Sequence, residues 1–181
     1  MVQSSDHPLL EGPVTQWPDD PMIQSSQPRF AADRMLGRLS RMLRLLGYDT
    51  LYAPDITTAR LTEIARREGR VVLTRGDARK RFPEMKGVFS LSSEYPPEQL
   101  QEVVTKFELD TLAGLWTRCT LCNGPIARVD KTEVEPQVEP KIFRLYDEFF
   151  RCASCGHIYW RGSHVERILK NLALLLGRPQ E

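Results

Sequence analysis

The sequence lacks any apolar run long enough to cross a bilayer, and it has no apolar segment near Met1 of the kind that directs secretion. Cysteine and histidine are also scarce, with four and three residues respectively. A disulfide framework suits a short secreted chain, and a chain of 181 residues with these features is not one. We therefore expect a cytoplasmic protein with no membrane partner. Its 41% share of hydrophobic residues predicts a packed globular core.

The cysteines that are present form two Cys-x-x-Cys pairs separated by an intervening stretch. This arrangement predicts one tetrahedral zinc site, and the zinc would be structural because four thiolates leave no coordination position open. A turn former follows each pair, Asn123-Gly124 after the first and Gly156 after the second, so the backbone can fold back around one ion. Two disulfides or two redox-active pairs are the alternative interpretations. The predicted ligands are Cys119, Cys122, Cys152 and Cys155.

Positive charge is absent from residues 1–28, which are rich in Pro, Ser, Gln and Asp and show no periodicity. This composition predicts a flexible acidic tail. Residues 29–82 have thirteen Lys and Arg residues against six acidic ones, so the overall net charge of +1 conceals a basic segment. Twelve of the thirteen are Arg, the side chain best suited to bidentate contact with phosphate. A solvated helix face is the alternative explanation for these charges.

Short apolar segments alternate with amphipathic ones from residue 30 to residue 107, which predicts the α/β class with a parallel sheet flanked by helices. The predicted strands are 30–32, 48–53, 71–73 and 88–91, and the predicted helices are about 34–46, 57–68 and 97–107.

The first predicted helix carries two stripes at helical spacing. Its leucines face the core, and Gly47 is expected to follow the helix as its cap. Its arginines lie on another face, where no glutamate four residues away neutralises them, so we expect them to meet an anion such as a nucleic-acid backbone. The leucines are Leu36, Leu39, Leu43 and Leu46, and the arginines are Arg34, Arg38, Arg41 and Arg44.

The cysteine pairs lie in a module with its own predicted elements, a Pro-rich loop over 134–140 and antiparallel strands over 143–150 and 157–160. These features indicate a zinc ribbon. A last helix over 164–176 has a wide apolar stripe, which we expect to pack on the α/β domain or on a second copy in a homodimer. The predicted units are a tail (1–28), an α/β domain (29–112), a zinc ribbon (113–162) and a C-terminal helix (163–181).

Carboxylates fall at the C-terminal ends of three predicted strands, at Asp33, Asp55 and Asp77. Ligands of open parallel sheets bind along that edge. Carboxylates with few other ligands suit Mg²⁺ or Mn²⁺, which activate water and stabilise charge that develops on a phosphodiester. The three residues therefore predict a catalytic metal site. Each also has a local explanation: Asp33 as the cap of the first helix, Asp55 as part of a turn, and Asp77 as a cap of the segment that follows it.

Several motifs, in the same order along the chain, resemble the Mut-seven C-terminal RNase domain family. The resemblance covers about residues 29–170. The motifs are FAADRMLGRLSRMLRLLGYDT at 30–50, GRVVLTR at 69–75, Cys119-x-x-Cys122-Asn123, and Cys152-x-x-Cys155 followed by GHIYWRGSH to His164.

The resemblance implies a PIN-like nuclease fold with a fused zinc ribbon, and a metal-dependent ribonuclease activity. It places Asp33 and Asp55 at acidic positions of the family. The third position departs from the pattern, because Gly76 stands where the family usually has an aspartate and Asp77 follows it. Arg34 likewise stands where a glycine is common. In one interpretation a flexible Gly76 lets Asp77 swing into the site; in the other, the departure weakens metal binding or abolishes it.

Three functional hypotheses follow. The first is a ribonuclease in which Asp33, Asp55 and Asp77 hold Mg²⁺ or Mn²⁺, while RNA phosphates bind Arg38, Arg41, Arg44 and Arg75. The second is a non-catalytic RNA-binding or adaptor protein with a degenerate metal site. The third is a zinc-ribbon module that binds an acidic protein partner or the chain's own acidic tail.

Overall fold

The computed structural model describes residues 27–160 and 162. Its first part contains β1 (Phe30–Ala32), α1 (Gly37–Leu45), β2 (Thr50–Leu51), α2 (Thr58–Glu68), β3 (Val71–Arg75), α3 (Ala78–Arg81), β4 (Val88–Leu91) and α4 (Pro96–Phe107). Its second part contains β5 (Ile126–Val129), α5 (Lys131–Val134), a 3₁₀ turn (Glu135–Gln137), α6 (Pro140–Leu145), β6 (Phe149–Cys152) and β7 (Ile158–Trp160).

The first four strands form one parallel sheet in the order β2-β1-β3-β4, flanked by helices, as predicted. Alternate residues of the strands point to opposite faces of the sheet, and helices cover both faces. Phe30 and Leu73 pack with the leucines of α1 and with α4, whereas Ala31 and Val72 pack with α2. After β1 the chain crosses to β2, at one edge of the sheet, and after β3 it crosses to β4, at the other edge. The carboxyl ends of β1 and β3 therefore form a topological switch point, where α/β sheets bind ligands.

Several boundaries differ from the prediction for local reasons. Helix α1 begins at Gly37 and not near residue 34, because Leu36 N–H donates to Asp33 O (2.8 Å) and closes a turn first. Strand β2 has two residues in place of the predicted six, since Ala53 and Ile56 enter a turn before α2. Helix α3 was not predicted at all; it begins at the Asp77 cap. The limits of α2, β4 and α4 agree closely with the prediction.

The second sheet is antiparallel, in the order β5-β6-β7. The prediction of a loop over 134–140 and a strand over 143–150 is wrong in part, since helical turns fill residues 131–145 and β6 begins only at Phe149. Asp130 caps α5, and a proline begins α6, where its missing N–H costs nothing. These turns cover one face of β6 through Phe149, while Phe150 and Cys152 lie on the other face with the cysteines.

The two sheets are joined at the end of α1. Trp116 N–H donates to Leu45 O (3.1 Å), and Arg118 Nε donates to Gly47 O (3.1 Å). Gly47 follows α1 with φ of +90°, as predicted for its cap. Gly114 approaches so closely that a Cβ on Gly47 would lie 2.6 Å from the Gly114 Cα. A glycine at position 47 thus allows both the turn and the contact between the two parts of the chain.

Some predictions fall outside the described residues. Most of the predicted acidic tail and the whole of the helix over 164–176 lie there, and with them the proposed homodimer contact. The limits of the four predicted units remain predictions. Within residues 27–160, every helix is too short or too polar to span a membrane.

Candidate functional site

The four cysteines form one cluster, in which the Sγ atoms all lie within 4.8 Å of one another. Cys119 Sγ is 3.7 Å from Cys155 Sγ, and Cys122 Sγ is 3.4 Å from Cys152 Sγ. A tetrahedral zinc site with metal–sulfur bonds of about 2.3 Å has sulfur–sulfur distances of about 3.8 Å. The donor set therefore fits a tetrahedral metal such as zinc. All four residues are free thiols, which sets the disulfide interpretation aside.

Both Cys-x-x-Cys pairs adopt the same turn. Asn123 N–H donates to Cys119 O and Gly156 N–H donates to Cys152 O, each at 2.9 Å. Asn123 and Gly156 have φ of +72° and +74°, a left-handed conformation that Gly and Asn adopt more readily than other residues. The turn formers that the sequence places after each pair are confirmed, and they bring the two pairs to one point.

Hydrogen bonding and burial shift the pKa values of the thiols in this cluster in opposite directions. Burial opposes ionisation of Cys119, but hydrogen bonds from Tyr159 and from the backbone N–H groups of Cys122 and Leu121 lower its pKa to about 7. Burial raises the pKa of Cys122 to about 12, and the nearby Cys152 thiol adds to this effect. Thiols packed this closely cannot all be thiolates unless a cation compensates them, and a coordinated metal would supply that charge.

Arg44 ties the first cysteine turn to the α/β domain. The residue is only 3% exposed. Its Nη1 donates to Thr120 O (3.2 Å) and Leu121 O (2.8 Å), and its Nε donates to Thr50 O (2.9 Å). Burial lowers the pKa of Arg44, while Cys119 and Cys122 oppose that shift. Arg44 therefore does not lie on the exposed arginine face that the sequence predicts for it; it bonds backbone carbonyls inside the protein.

A second set of polar contacts lies beside Arg44. Asn123 Oδ1 accepts from Thr50 N–H (3.0 Å), and Asn123 Nδ2 donates to Asp49 Oδ1 (2.8 Å). Arg70 donates to both oxygens of Asp49, at 2.6 and 3.2 Å. Burial would raise the pKa of Asp49, but the hydrogen bonds from Arg70 and Asn123 hold it below its usual value. The first cysteine turn is thus bonded to the sheet by both side chains and backbone.

Asp33 lies at the switch point, directly after β1, and is 3% exposed. Its carboxylate accepts from Thr74 Oγ1 (2.9 Å) and from Arg34 N–H (2.8 Å). The Arg81 guanidinium binds the same carboxylate with two nitrogens: Nη2 lies 3.2 Å from Oδ1, and Nη1 contacts Oδ2. Both carboxylate oxygens of Asp33 are therefore already engaged by protein donors.

The other two predicted aspartates have local roles in this structure. Asp77 caps α3, and its Oδ1 accepts from Lys80 N–H at 3.1 Å. Asp55 is exposed in the turn between β2 and α2. Among residues 27–160 and 162, the cysteines group as a metal cluster and the three aspartates do not. In this arrangement, Asp33, Asp55 and Asp77 do not fit a shared Mg²⁺ or Mn²⁺ ion.

A groove of about 360 Å³ opens at the carboxyl ends of the strands and includes Arg34, the residue that follows Asp33; we call it the arginine groove. Arg34, Arg38 and Arg41 line it together with Tyr52 and Glu94. The three arginines are exposed, and within the described part of the chain none forms an ion pair. The groove therefore presents uncompensated positive charge at the carboxyl end of the sheet, as expected for a site that binds an anion.

The sequence prediction and the structure overlap only partly at this groove. Arg38 and Arg41 line it as predicted. Arg75 is paired with Glu94, which reduces its availability to an external anion. Arg81 was missed. Gly76-Asp77 signals the start of a new turn, because a glycine and a capping aspartate favour one, but no sequence signal shows that Arg81 then reaches Asp33.

A family model described as the Mut7-C RNAse domain matches residues 28–172. The chain belongs to this family. The resemblance seen in the sequence motifs is thus confirmed. The residues that match the Mut7-C model include those of the arginine groove and those of the cysteine cluster.

One curated relative of this Mut7-C chain is the human protein named exonuclease mut-7 homolog. The two are 32% identical over an alignment of 109 positions, which covers 57% of this chain and 12% of the relative. The chain thus matches only a small part of that protein's length. No solved structure matches the chain.

Proposed function

We propose that this protein is a ribonuclease that binds the RNA backbone in the arginine groove and cleaves it at the switch point beside Asp33. The observation that carries the proposal is a groove lined by uncompensated arginines that begins at Arg34, whose backbone N–H binds the buried Asp33 carboxylate, in a chain of the Mut7-C RNAse domain family. The name of the human relative, which includes the word exonuclease, also supports a nuclease activity in general.

The arginine groove suits a phosphodiester chain for two reasons. Its guanidinium groups offer planar, bidentate donors to phosphate, and the absence of ion-pair partners for Arg34, Arg38 and Arg41 within the described residues leaves these donors free. Tyr52 lies in the same groove, and its Oη donates to Arg34 O (3.0 Å), which positions the ring at the groove wall. An aromatic wall beside phosphate-binding arginines is typical of surfaces that bind single strands.

Two metals belong to this proposal in different ways. Zinc in the four-cysteine cluster would be structural, because the cluster has no open position and supports the end of α1 through Arg44. Mg²⁺ or Mn²⁺ at the switch point would supply charge stabilisation and an activated water. Joint binding of that ion by Asp33, Asp55 and Asp77 remains a prediction, and it requires Asp55 and Asp77 to leave their present positions.

The proposal predicts that Asp33→Asn lowers metal-stimulated cleavage of an RNA oligonucleotide by about a hundredfold or more, because the reactive centre loses its carboxylate charge. The measurement is single-turnover cleavage with Mg²⁺ or Mn²⁺. Asp49→Asn is the matched control, since Asp49 is also an aspartate bonded to an arginine, although less buried than Asp33, and precedes β2, at the opposite end of the strands. Both variants are expected to lose about 1–3 kcal/mol of stability, and only Asp33→Asn to lose cleavage. Equal activity in the two variants would remove Asp33 from the reaction.

The role of the arginine groove has its own test. The double variant Arg38→Gln/Arg41→Gln is expected to weaken binding of single-stranded RNA about tenfold or more and to reduce its salt dependence by roughly one to two units of slope. Arg60→Gln/Arg67→Gln removes the same charge from α2, where both arginines contact Glu63. Fluorescence anisotropy over a salt series measures both. If the α2 variant loses as much affinity as the groove variant, the binding is non-specific and the groove is not the site.

A second candidate is a non-catalytic RNA-binding protein of the same family. The observation that favours it is the engagement of Asp33 by Arg81 and of Asp77 by the α3 backbone. It predicts salt-sensitive RNA binding that depends on Arg38 and Arg41, with no cleavage at any Mg²⁺ or Mn²⁺ concentration. Absence of RNA binding at low salt would contradict both candidates and favour a protein-binding module.

A further inference from the structure

The arginine groove has more positive charge than the described part of the chain compensates. Arg34, Arg38 and Arg41 line it, and none of them has an acidic partner among the described residues. Glu94, the acidic residue of the lining, is already paired with Arg75. Other arginines have acidic partners of their own, namely Arg60, Arg67, Arg70, Arg81, Arg118, Arg128 and Arg151. An anion in this groove would therefore meet three unpaired cations without displacing an existing partner.

Residues 1–26 have the opposite charge. They precede the described part of the chain and contain four acidic residues and no Lys or Arg. Asp19 and Asp20 are adjacent, so one short stretch offers two carboxylates to the guanidinium groups of the groove. Arginine clusters are a common recognition surface for acidic motifs. We call residues 17–23, which contain this pair, the acidic segment.

The acidic segment and the groove also match in apolar character. Trp17 lies on one side of the aspartate pair, and Met22 and Ile23 lie on the other. The groove has apolar surface to receive them, because its lining includes Met35, which is 50% exposed, and Tyr52. A contact between the two would therefore bury apolar side chains as well as pair charges.

The acidic segment can reach the groove along α1. Because α1 connects two parallel strands, it runs back from the carboxyl end of the sheet toward the amino end, where the chain enters β1. The nine residues of α1 cover about 14 Å. Asp20 precedes Phe30, the first residue of β1, by ten positions, and a stretch of that length spans up to about 33 Å. The groove arginines on α1 are therefore within its reach.

We propose that the acidic segment binds in the arginine groove when RNA is absent, and that RNA has to displace it. The two aspartates take the place of RNA phosphates, since both kinds of anion accept paired hydrogen bonds from a guanidinium group. The tether to β1 gives the segment a roughly millimolar effective concentration, so a contact that is weak between separate molecules fills the groove within one chain. The proposal rests on the proposed function only for the identity of the displaced ligand.

The first test needs no RNA. Trp17 is one of three tryptophans, and fluorine NMR of the zinc-loaded full chain labelled with fluorotryptophan reports on its surroundings, with its signal assigned from Trp17→Phe. Arg38→Gln/Arg41→Gln is expected to move this signal to the position that it has in a synthetic peptide of residues 1–26. Arg60→Gln/Arg67→Gln removes the same charge from α2 and is expected to leave the signal at its wild-type position. That position is expected to be independent of protein concentration, because the contact lies within one chain.

The second test is RNA affinity, measured by fluorescence anisotropy without added Mg²⁺ or Mn²⁺. Asp19→Asn/Asp20→Asn is expected to bind single-stranded RNA about threefold to tenfold more tightly than the wild type, because its groove is free. Asp6→Asn/Glu11→Gln is the matched control, since it removes the same charge from residues 1–26 outside the acidic segment; its expected gain is less than about twofold. The gain at the aspartate pair is expected to disappear when the groove substitutions are added.

A Trp17 signal that is the same in the wild type and the groove variant would overturn the proposal, as would a wild-type position that changes with protein concentration. Equal gains in affinity from the two acidic double variants would also contradict it, because net charge alone would then explain them. The proposed function can fail separately. If RNA affinity does not depend on Arg38 and Arg41, the groove is not the RNA site, and the fluorine signal still decides whether the acidic segment lies there.

Discussion

Replacing Cys152 by serine is expected to abolish metal binding at the cysteine cluster and to unfold the antiparallel sheet. Cys152 is 1% exposed and lies on β6, the central strand, opposite Ile126. A structural zinc site of this kind contributes on the order of 10 kcal/mol to folding in small zinc domains, which exceeds what a sheet of this size gains from its own core. The measurement is metal content by elemental analysis together with thermal unfolding.

Ala153→Ser is the control for this experiment, since it changes an exposed residue of the same turn and leaves all four thiols in place. It is expected to retain one zinc per chain and a melting temperature within a few degrees of the wild type. A chelator should reproduce the Cys152→Ser result in the wild type and have no further effect on the variant. A Cys152→Ser protein that keeps both zinc and its melting temperature would refute the metal assignment.

The second large effect is expected at Gly47. An alanine there would have to adopt φ of +90°, and its Cβ would lie 2.6 Å from the Gly114 Cα and closer still to the Gly114 carbonyl oxygen, backbone atoms that cannot yield as a side chain would. The left-handed conformation costs roughly 1–2 kcal/mol, and overpacking against a fixed neighbour typically adds 1–3 kcal/mol. We expect Gly47→Ala to lose about 3 kcal/mol or more of unfolding free energy, measured by urea denaturation.

Gly69→Ala separates these two causes. Gly69 ends α2 with φ of +64°, and a Cβ at this position would meet no atom within 4 Å. The substitution should therefore cost only the conformational part, about 1 kcal/mol. Equal losses at Gly47 and Gly69 would mean that the contact between Gly47 and Gly114 contributes nothing to stability.

Much of the α/β architecture could be predicted because its signals are local. Thr57 caps α2 by accepting from Arg60 N–H (3.2 Å), and Gly69 ends it, so both limits follow from residue type alone. The inserted turns after β5 could not be predicted in the same way. Their prolines are compatible with either a loop or the first turn of a helix, and packing against Phe149 decides between them.

The site was harder to predict because its contacts join distant parts of the chain. The periodicity of the arginine stripe does not reveal burial. Arg44 differs from Arg38 and Arg41 because it bonds Thr50 O and because the cysteine turn, more than seventy residues away, also binds it. Asp33 and Arg81 lie 48 positions apart, and no spacing rule connects them. The cysteines were predictable because metal ligation limits their spacing strongly.

The hydrogen bonds at Thr50 protect the outer edge of the parallel sheet. β2 is the outermost strand of its sheet, and both backbone groups of Thr50 that face away from β1 are occupied, the N–H by Asn123 and the carbonyl by Arg44. These side chains take the place of a neighbouring strand. A chain whose cysteine turn has opened would expose an unpaired strand able to pair with another molecule. A metal bound at the cysteines would thus protect the sheet against aggregation as well as against unfolding.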